Sequence, residues 1–173
     1  MRKILFVAVI LFLLPSKEAS AFEEPVAGMA VSLDAIKDKP IEKAVAYYSA
    51  IYHIDGDLVL AVISGESEGD IKAFNINRNG THDSGLMQIN SCNHEWLSEE
   101  LGINDFYEPA QNIKAGVYIL SLLTEKYDSL HRVLMAYNMG ERRTRELWKQ
   151  GIYSSHYSRK ITRRLRKIKE DKQ

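Results

Sequence analysis

The apolar positions of this chain fall into blocks separated by polar, glycine-punctuated stretches, and nearly all of them repeat with helical spacing. Pro40, at a first-turn position, opens a helix over Ile41 to Tyr52. A second helix follows at once. Asp55 or Asp57 can cap the run Leu58-Val59-Leu60-Ala61-Val62-Ile63, which continues to Glu66 and is apolar enough to predict a helix buried at the centre of a domain. Gly65 and Gly69 bracket its end. From Asp70 to Asn90 the periodicity disappears, and Asn75-Ile76-Asn77-Arg78-Asn79-Gly80 predicts turns and a small hairpin. It returns at Pro109, where Ile113, Val117, Leu120 and Leu123 predict a long helix ending near Tyr127-Asp128. Ser129 to Tyr137 predicts another, broken by Asn138-Met139-Gly140. Glu141 to Lys149 predicts a short one stopped by Gly151, and Ser155 to Lys169 a last, amphipathic one. With no internal repeat and no low-complexity tract, the pattern predicts a mainly α fold, with a polar loop between the buried helix and the rest.

The first residues belong to a different pattern. Arg2 and Lys3 precede an apolar stretch of 11 residues, Ile4 to Leu14, then Pro15 and the small triplet Ala19-Ser20-Ala21. This is the layout of a cleavable secretory signal over residues 1–21. The stretch falls well short of the roughly 20 apolar residues that span a bilayer, so no permanent membrane anchor is expected. Residues 22–39, with Pro25 and Pro40 at their limits, read as a lead-in segment, and residues 40–173 as one domain.

Charge and cysteine use narrow the picture further. Residues 22–140 carry 8 Lys and Arg against 18 Asp and Glu, whereas residues 141–173 carry 12 against 4. The basic tail suits either a solvated helix face or docking on an anionic surface. No aromatic residue interleaves with Arg163, Arg164, Arg166 and Lys167, so a stacking platform for nucleic acid is not expected. Cys92 is the single cysteine, which excludes an intramolecular disulfide although the chain is read as exported. His53, His82, His94, His131 and His156 lack paired ligand spacing, and no phosphate-cradling glycine loop is present, so neither a metal nor a cofactor is expected.

The candidate chemistry lies at Glu66-Ser67. A carboxylate where a buried helix meets a polar loop is a candidate for a raised pKa and for proton transfer. Glycoside hydrolysis usually employs a second carboxylate, for which Glu68, Asp70 and Asp83 are the nearby candidates. Glu68 would face away from Glu66 on a continuing helix, and Asp70 and Asp83 lie in turns where Asp commonly bonds backbone.

Glu66-Ser67, then Gly85-Leu86-Met87-Gln88, then Ala136-Tyr137-Asn138, in that order, resemble the three signature motifs of the lysozyme-like lytic transglycosylase domain. Asn75 to Asn90 is similar to the loop of the small specialised transglycosylases that accompany conjugation and secretion machines. Pro109 to Leu120 resembles the helix that follows, although Glu108-Pro109 stands where that family often has Asp-Pro, and Cys92 has no counterpart there. The likeness covers roughly residues 51–160.

The resemblance implies a lysozyme-like fold of the goose type and cleavage of peptidoglycan between N-acetylmuramic acid and N-acetylglucosamine without water. Glu66 would protonate the glycosidic oxygen, then accept the proton of the muramoyl C6 hydroxyl as it closes onto C1 to give a 1,6-anhydro sugar. The substrate's N-acetyl group would replace the second carboxylate. Carried over by matching letters, Ser67 would hydrogen-bond near Glu66, Met87 and Gln88 would line sugar subsites, and Tyr137 and Asn138 would face Glu66 and the N-acetyl group. Tyr118 would also reach the cleft. Met87 and Tyr118 equally fit core positions, Ser67 a helix end and Asn138 a helix stop. Three functions remain open: a transglycosylase opening the wall for a secretion or conjugation apparatus, a muramidase using water, and a wall-binding assembly protein without turnover.

Overall fold

Residues 39–173 are described in a computed structural model; the expected signal and, apart from Lys39, the lead-in segment lie outside them. The first helix, α1 (Pro40–Ile51), starts on its proline, which needs no amide partner there. Asp55 settles the capping choice for α2 (Gly56–Glu66) by accepting the Asp57 amide at 2.9 Å. Val59, Ala61 and Val62 of α2 are wholly enclosed, with α1 on one side and the last helix on the other.

The polar loop contains a three-stranded antiparallel sheet, β1 (Phe74–Ile76), β2 (His82–Ser84) and β3 (Ile89–Asn90), in that order. Phe74 stands opposite Ser84, Ile76 opposite His82, and Ser84 opposite Ile89. A short 3-10 turn, Ser91–Asn93, leads into α3 (His94–Leu101), which the apolar pattern does not announce. Leu97 is the one residue that α3 buries, so there is no repeat to see.

In α4 (Pro109–Lys126) the substitution of Glu for Asp before the proline is harmless, because Glu108 caps the helix, accepting the Ala110 and Gln111 amides at 3.1 and 2.7 Å. Then follow α5 (Leu130–Met139), α6 (Glu141–Lys149) and α7 (His156–Glu170). Ser155 and Ser158 exchange hydrogen bonds in a capping box that fixes where α7 begins. α4 packs on α1 and α5, and α7 packs on α2 and α5.

One buried amide joins the sheet to this bundle. Asn112 of α4 is fully enclosed; its Oδ1 accepts the Met87 amide at 2.8 Å, and its Nδ2 donates to the carbonyls of Ser84 and Phe106 at 2.9 and 2.6 Å. Gly85 sits against it with φ of +72°, and a Cβ there would lie 2.5 Å from Asn112 Nδ2 and 2.7 Å from the Phe106 oxygen. Only glycine meets both demands.

Candidate active site

Glu66 is the last residue of α2, so its carboxyl leaves the apolar core where the helix ends. The Tyr157 hydroxyl, in the first turn of α7, donates to Glu66 Oε1 at 2.6 Å. Burial pushes the Glu66 carboxyl above the ordinary carboxylate range; the Tyr157 hydrogen bond opposes this, the Asp83 charge adds to it and the Lys160 charge opposes it. Burial, with the charge of Glu66, likewise pushes the Tyr157 hydroxyl far upward, so it remains a proton donor to the carboxylate.

Tyr137 stands on α5 close enough for Glu66 and Asp83 to add to the upward shift that burial imposes on it. Its hydroxyl donates to the Met87 carbonyl at 2.9 Å, tying α5 to the segment between β2 and β3. The Asp83 carboxylate, on β2, is held by side-chain amides. Asn90 donates to Oδ1 at 2.6 Å, and Asn77 and Asn75 donate to Oδ2 at 2.9 and 3.4 Å. Of the three candidate second carboxylates, Asp83 is the one whose charge acts on Glu66. Glu68 and Asp70 are exposed beyond the helix end, and Asp70 caps a turn through the Lys72 amide.

The other sequence-predicted residues take varied places. Ser67 does not bond the Glu66 carboxyl; its Oγ donates to the Leu86 and Ile63 carbonyls at 2.8 and 3.2 Å and so fastens the end of α2 to the following loop. The Met87 side chain is wholly buried against Gly116, which leaves it no surface to offer a sugar. Gln88 adopts φ of +48°, and its Nε2 donates to the Gly85 and Ala73 carbonyls at 2.9 and 3.1 Å, bracing the hairpin. Asn138 is exposed near the end of α5, next to Tyr137.

Tyr118 stands on α4. Its ring packs against Tyr52 and Trp96, and its hydroxyl donates to Glu100 at 3.3 Å. Tyr157 and Lys160 are the site residues that sequence reasoning missed. The signal was the stripe Tyr157, Ile161, Leu165 and Ile168, four inward positions at helical spacing headed by a hydroxyl.

No group of three or more His, Cys, Asp or Glu side chains suited to a metal ion occurs among the described residues. Cys92 is exposed and free. His94 stacks on Phe106 with ring centres 3.8 Å apart, and burial lowers its pKa.

A half-buried acid with an upward-shifted pKa, a tyrosine donor and a neighbouring carboxylate can protonate a leaving group and take a proton back. Known proteins resemble this chain over most of its described length. The sequence model of the transglycosylase SLT domain matches residues 43–158. Invasion protein IagB of Salmonella typhi is 31% identical over 123 residues, covering 69% of this chain and 73% of that protein. The transglycosylase of Enterobacteria phage PRD1 is 32% identical over 92 residues, 53% of this chain and 32% of that one. Among solved structures, the inactive E503Q mutant of lytic transglycosylase Slt from Pseudomonas aeruginosa superposes with a TM-score of 0.56 at 18% identity, covering 75% of this chain and 23% of the other. The chain belongs to the transglycosylase SLT domain family, the lytic transglycosylases of lysozyme-like fold.

Proposed function

We propose that the protein cleaves the β-1,4 bond between N-acetylmuramic acid and N-acetylglucosamine in peptidoglycan and leaves 1,6-anhydro ends, with Glu66 acting first as acid and then as base. The observation that carries this reading is Glu66 itself, held by Tyr157 in an environment that favours its protonated form. A neutral Glu66 gives its proton to the glycosidic oxygen as the C1–O bond breaks. The resulting carboxylate, steadied by the Tyr157 hydroxyl, takes the proton of the C6 hydroxyl as its oxygen bonds to C1, so the acid is restored without water. Tyr137 and Asn138 approach the N-acetyl side. Ser67 and Gln88 act through the loop they brace, and the Met87 carbonyl serves as an anchor for Tyr137.

A second reading, hydrolysis by water, draws on Asp83. Its carboxylate is kept in place by three asparagine amides and its charge acts on Glu66, as a second carboxyl in glycoside hydrolysis would. Digesting purified peptidoglycan and weighing the muropeptides separates the two. Anhydro ends that persist in Asp83→Asn support the first reading; reducing ends that vanish in that variant support the second. Glu66→Gln is expected to lose at least about a thousandfold in turnover, and unchanged release by it would end both readings.

The protein is read as exported and active in the periplasm or wall space, where its substrate lies. No helix among the described residues is long and apolar enough to cross a membrane. Service to a secretion or conjugation apparatus is supported by the hairpin's resemblance and by a relative named as an invasion protein. Loss of assembly of such an apparatus in a deletion strain, restored by the wild type and not by Glu66→Gln, is the test.

A further inference from the structure

The carbonyl end of α2 is gripped by α7 in a way the proton-transfer scheme does not use. A helix leaves its last four carbonyls without intrahelical partners. Here Ile63 O accepts the Ser67 amide, Gly65 O accepts Lys160 Nζ at 2.9 Å, and Ser64 O accepts the Arg164 guanidinium, which also reaches Ser64 Oγ. Between the two cations, Ile161 is wholly buried at Gly65, where a Cβ would lie 2.1 Å from Ile161 Cδ1. Tyr157, Lys160, Ile161 and Arg164 are the i, i+3, i+4 and i+7 positions of one face, and they address Glu66, Gly65 and Ser64 in turn.

We propose that Lys160 and Arg164 are positioning residues for the reaction, fixing the last turn of α2 so that the Glu66 carboxyl meets Tyr157 and the substrate at one angle. The inference rests on the reading of Glu66 as the acid and base. Ile161 alone would pack the two helices together but leave the last turn of α2 able to rotate and fray. Two charge-assisted hydrogen bonds from a second helix stop both motions, and cations are favourable at a helix's carbonyl end. A loss of orientation at that point is felt at the reacting atoms.

Lys160 adds an electrostatic consequence. The groups whose charge or hydrogen bond acts on Glu66 are Tyr157 and Lys160 from α7 and Asp83 from β2, with Tyr137 facing it from α5. Lys160 is the cation of this set and favours the carboxylate. Without it Glu66 keeps its proton to higher pH, so the alkaline limb of kcat, which marks loss of that proton, moves upward.

The test is the pH–rate profile of the protein on purified peptidoglycan for Lys160→Met, Lys160→Gln, Lys160→Arg and Arg164→Met, with thermal melts of each. Lys160→Met is expected to lose about tenfold in kcat at nearly constant KM and to shift the alkaline limb upward, and Lys160→Arg to return the limb. Arg164→Met is expected to lose kcat without moving the limb. Should Lys160→Met not fold, Lys160→Gln, which keeps a donor for Gly65 O but no charge, decides by the same limb. Variants with altered Tm but unaltered kcat and limb overturn the inference. An inactive Glu66→Gln beside such variants leaves the acid assignment standing, whereas an active Glu66→Gln removes the assignment itself.

Discussion

A group that must give up a proton and take one back depends on the balance between its two protonation states, and opposed influences set that balance at Glu66. Burial and Asp83 raise its pKa, while the Tyr157 hydroxyl and the Lys160 charge draw it down. Tyr157→Phe removes the donor that favours the carboxylate. The expected result is a loss of about a hundredfold in kcat and an alkaline limb displaced to higher pH, read in the same rate profiles. The sign of the stability effect follows from the raised folded-state pKa. Glu66 binds its proton more tightly folded than unfolded, so whatever it contributes to stability is present below the unfolded value and lost as pH rises through the folded one. Glu66→Gln is therefore expected to melt higher than wild type at neutral pH, with the gain vanishing below about pH 4 in melts across the pH range. Glu66 itself was legible in the chain because an apolar run ends on it; Tyr157 was not, because Ser154-Ser155-His156-Tyr157-Ser158 is locally polar and its partner is remote.

At the scale of elements, boundaries were legible wherever backbone chemistry forces them. Pro40 and Pro109 start helices, Gly140 stops one at φ of +76°, and α6 coincides with the predicted Glu141 to Lys149. α3 was illegible because a helix burying one leucine has no period. Strand pairing in the hairpin is decided by side-chain amides rather than by alternation, since β1 is exposed at all three of its residues. Asn112 was also passed over, although a polar residue beside Ile113 in an apolar repeat is the mark of a buried hydrogen-bonding post. Asn112→Ala strands the Met87 amide and the Ser84 and Phe106 carbonyls. It is expected to cost about 3 kcal/mol in denaturant unfolding and to loosen the segment that carries Gln88.

For the molecule as a whole, the split between an acidic body and a basic tail is answered in part from within. α7 lies antiparallel to α2: Lys160 and Arg164 meet its carbonyl end, while Lys169 pairs with Asp55 at 2.7 Å and Lys172 with Asp57 at its start. Burial alone would raise the Asp55 pKa, and the Lys169 hydrogen bond brings it below the ordinary value. Arg159, Arg163 and Arg166 are left facing outward, a solvated stripe. Because the pairs at the start of α2 are exposed, Lys172→Ala is expected to change Tm little, whereas deleting residues 156–173 removes the buried Ile161 and Ser158 along with Tyr157 and is expected to abolish both cooperative melting and activity. Glu66 and Tyr157 are separated by 91 positions along the chain. A growing polypeptide therefore carries Glu66 long before the hydroxyl that seats it, and this hydrogen bond can form only once the start of α7 has been made.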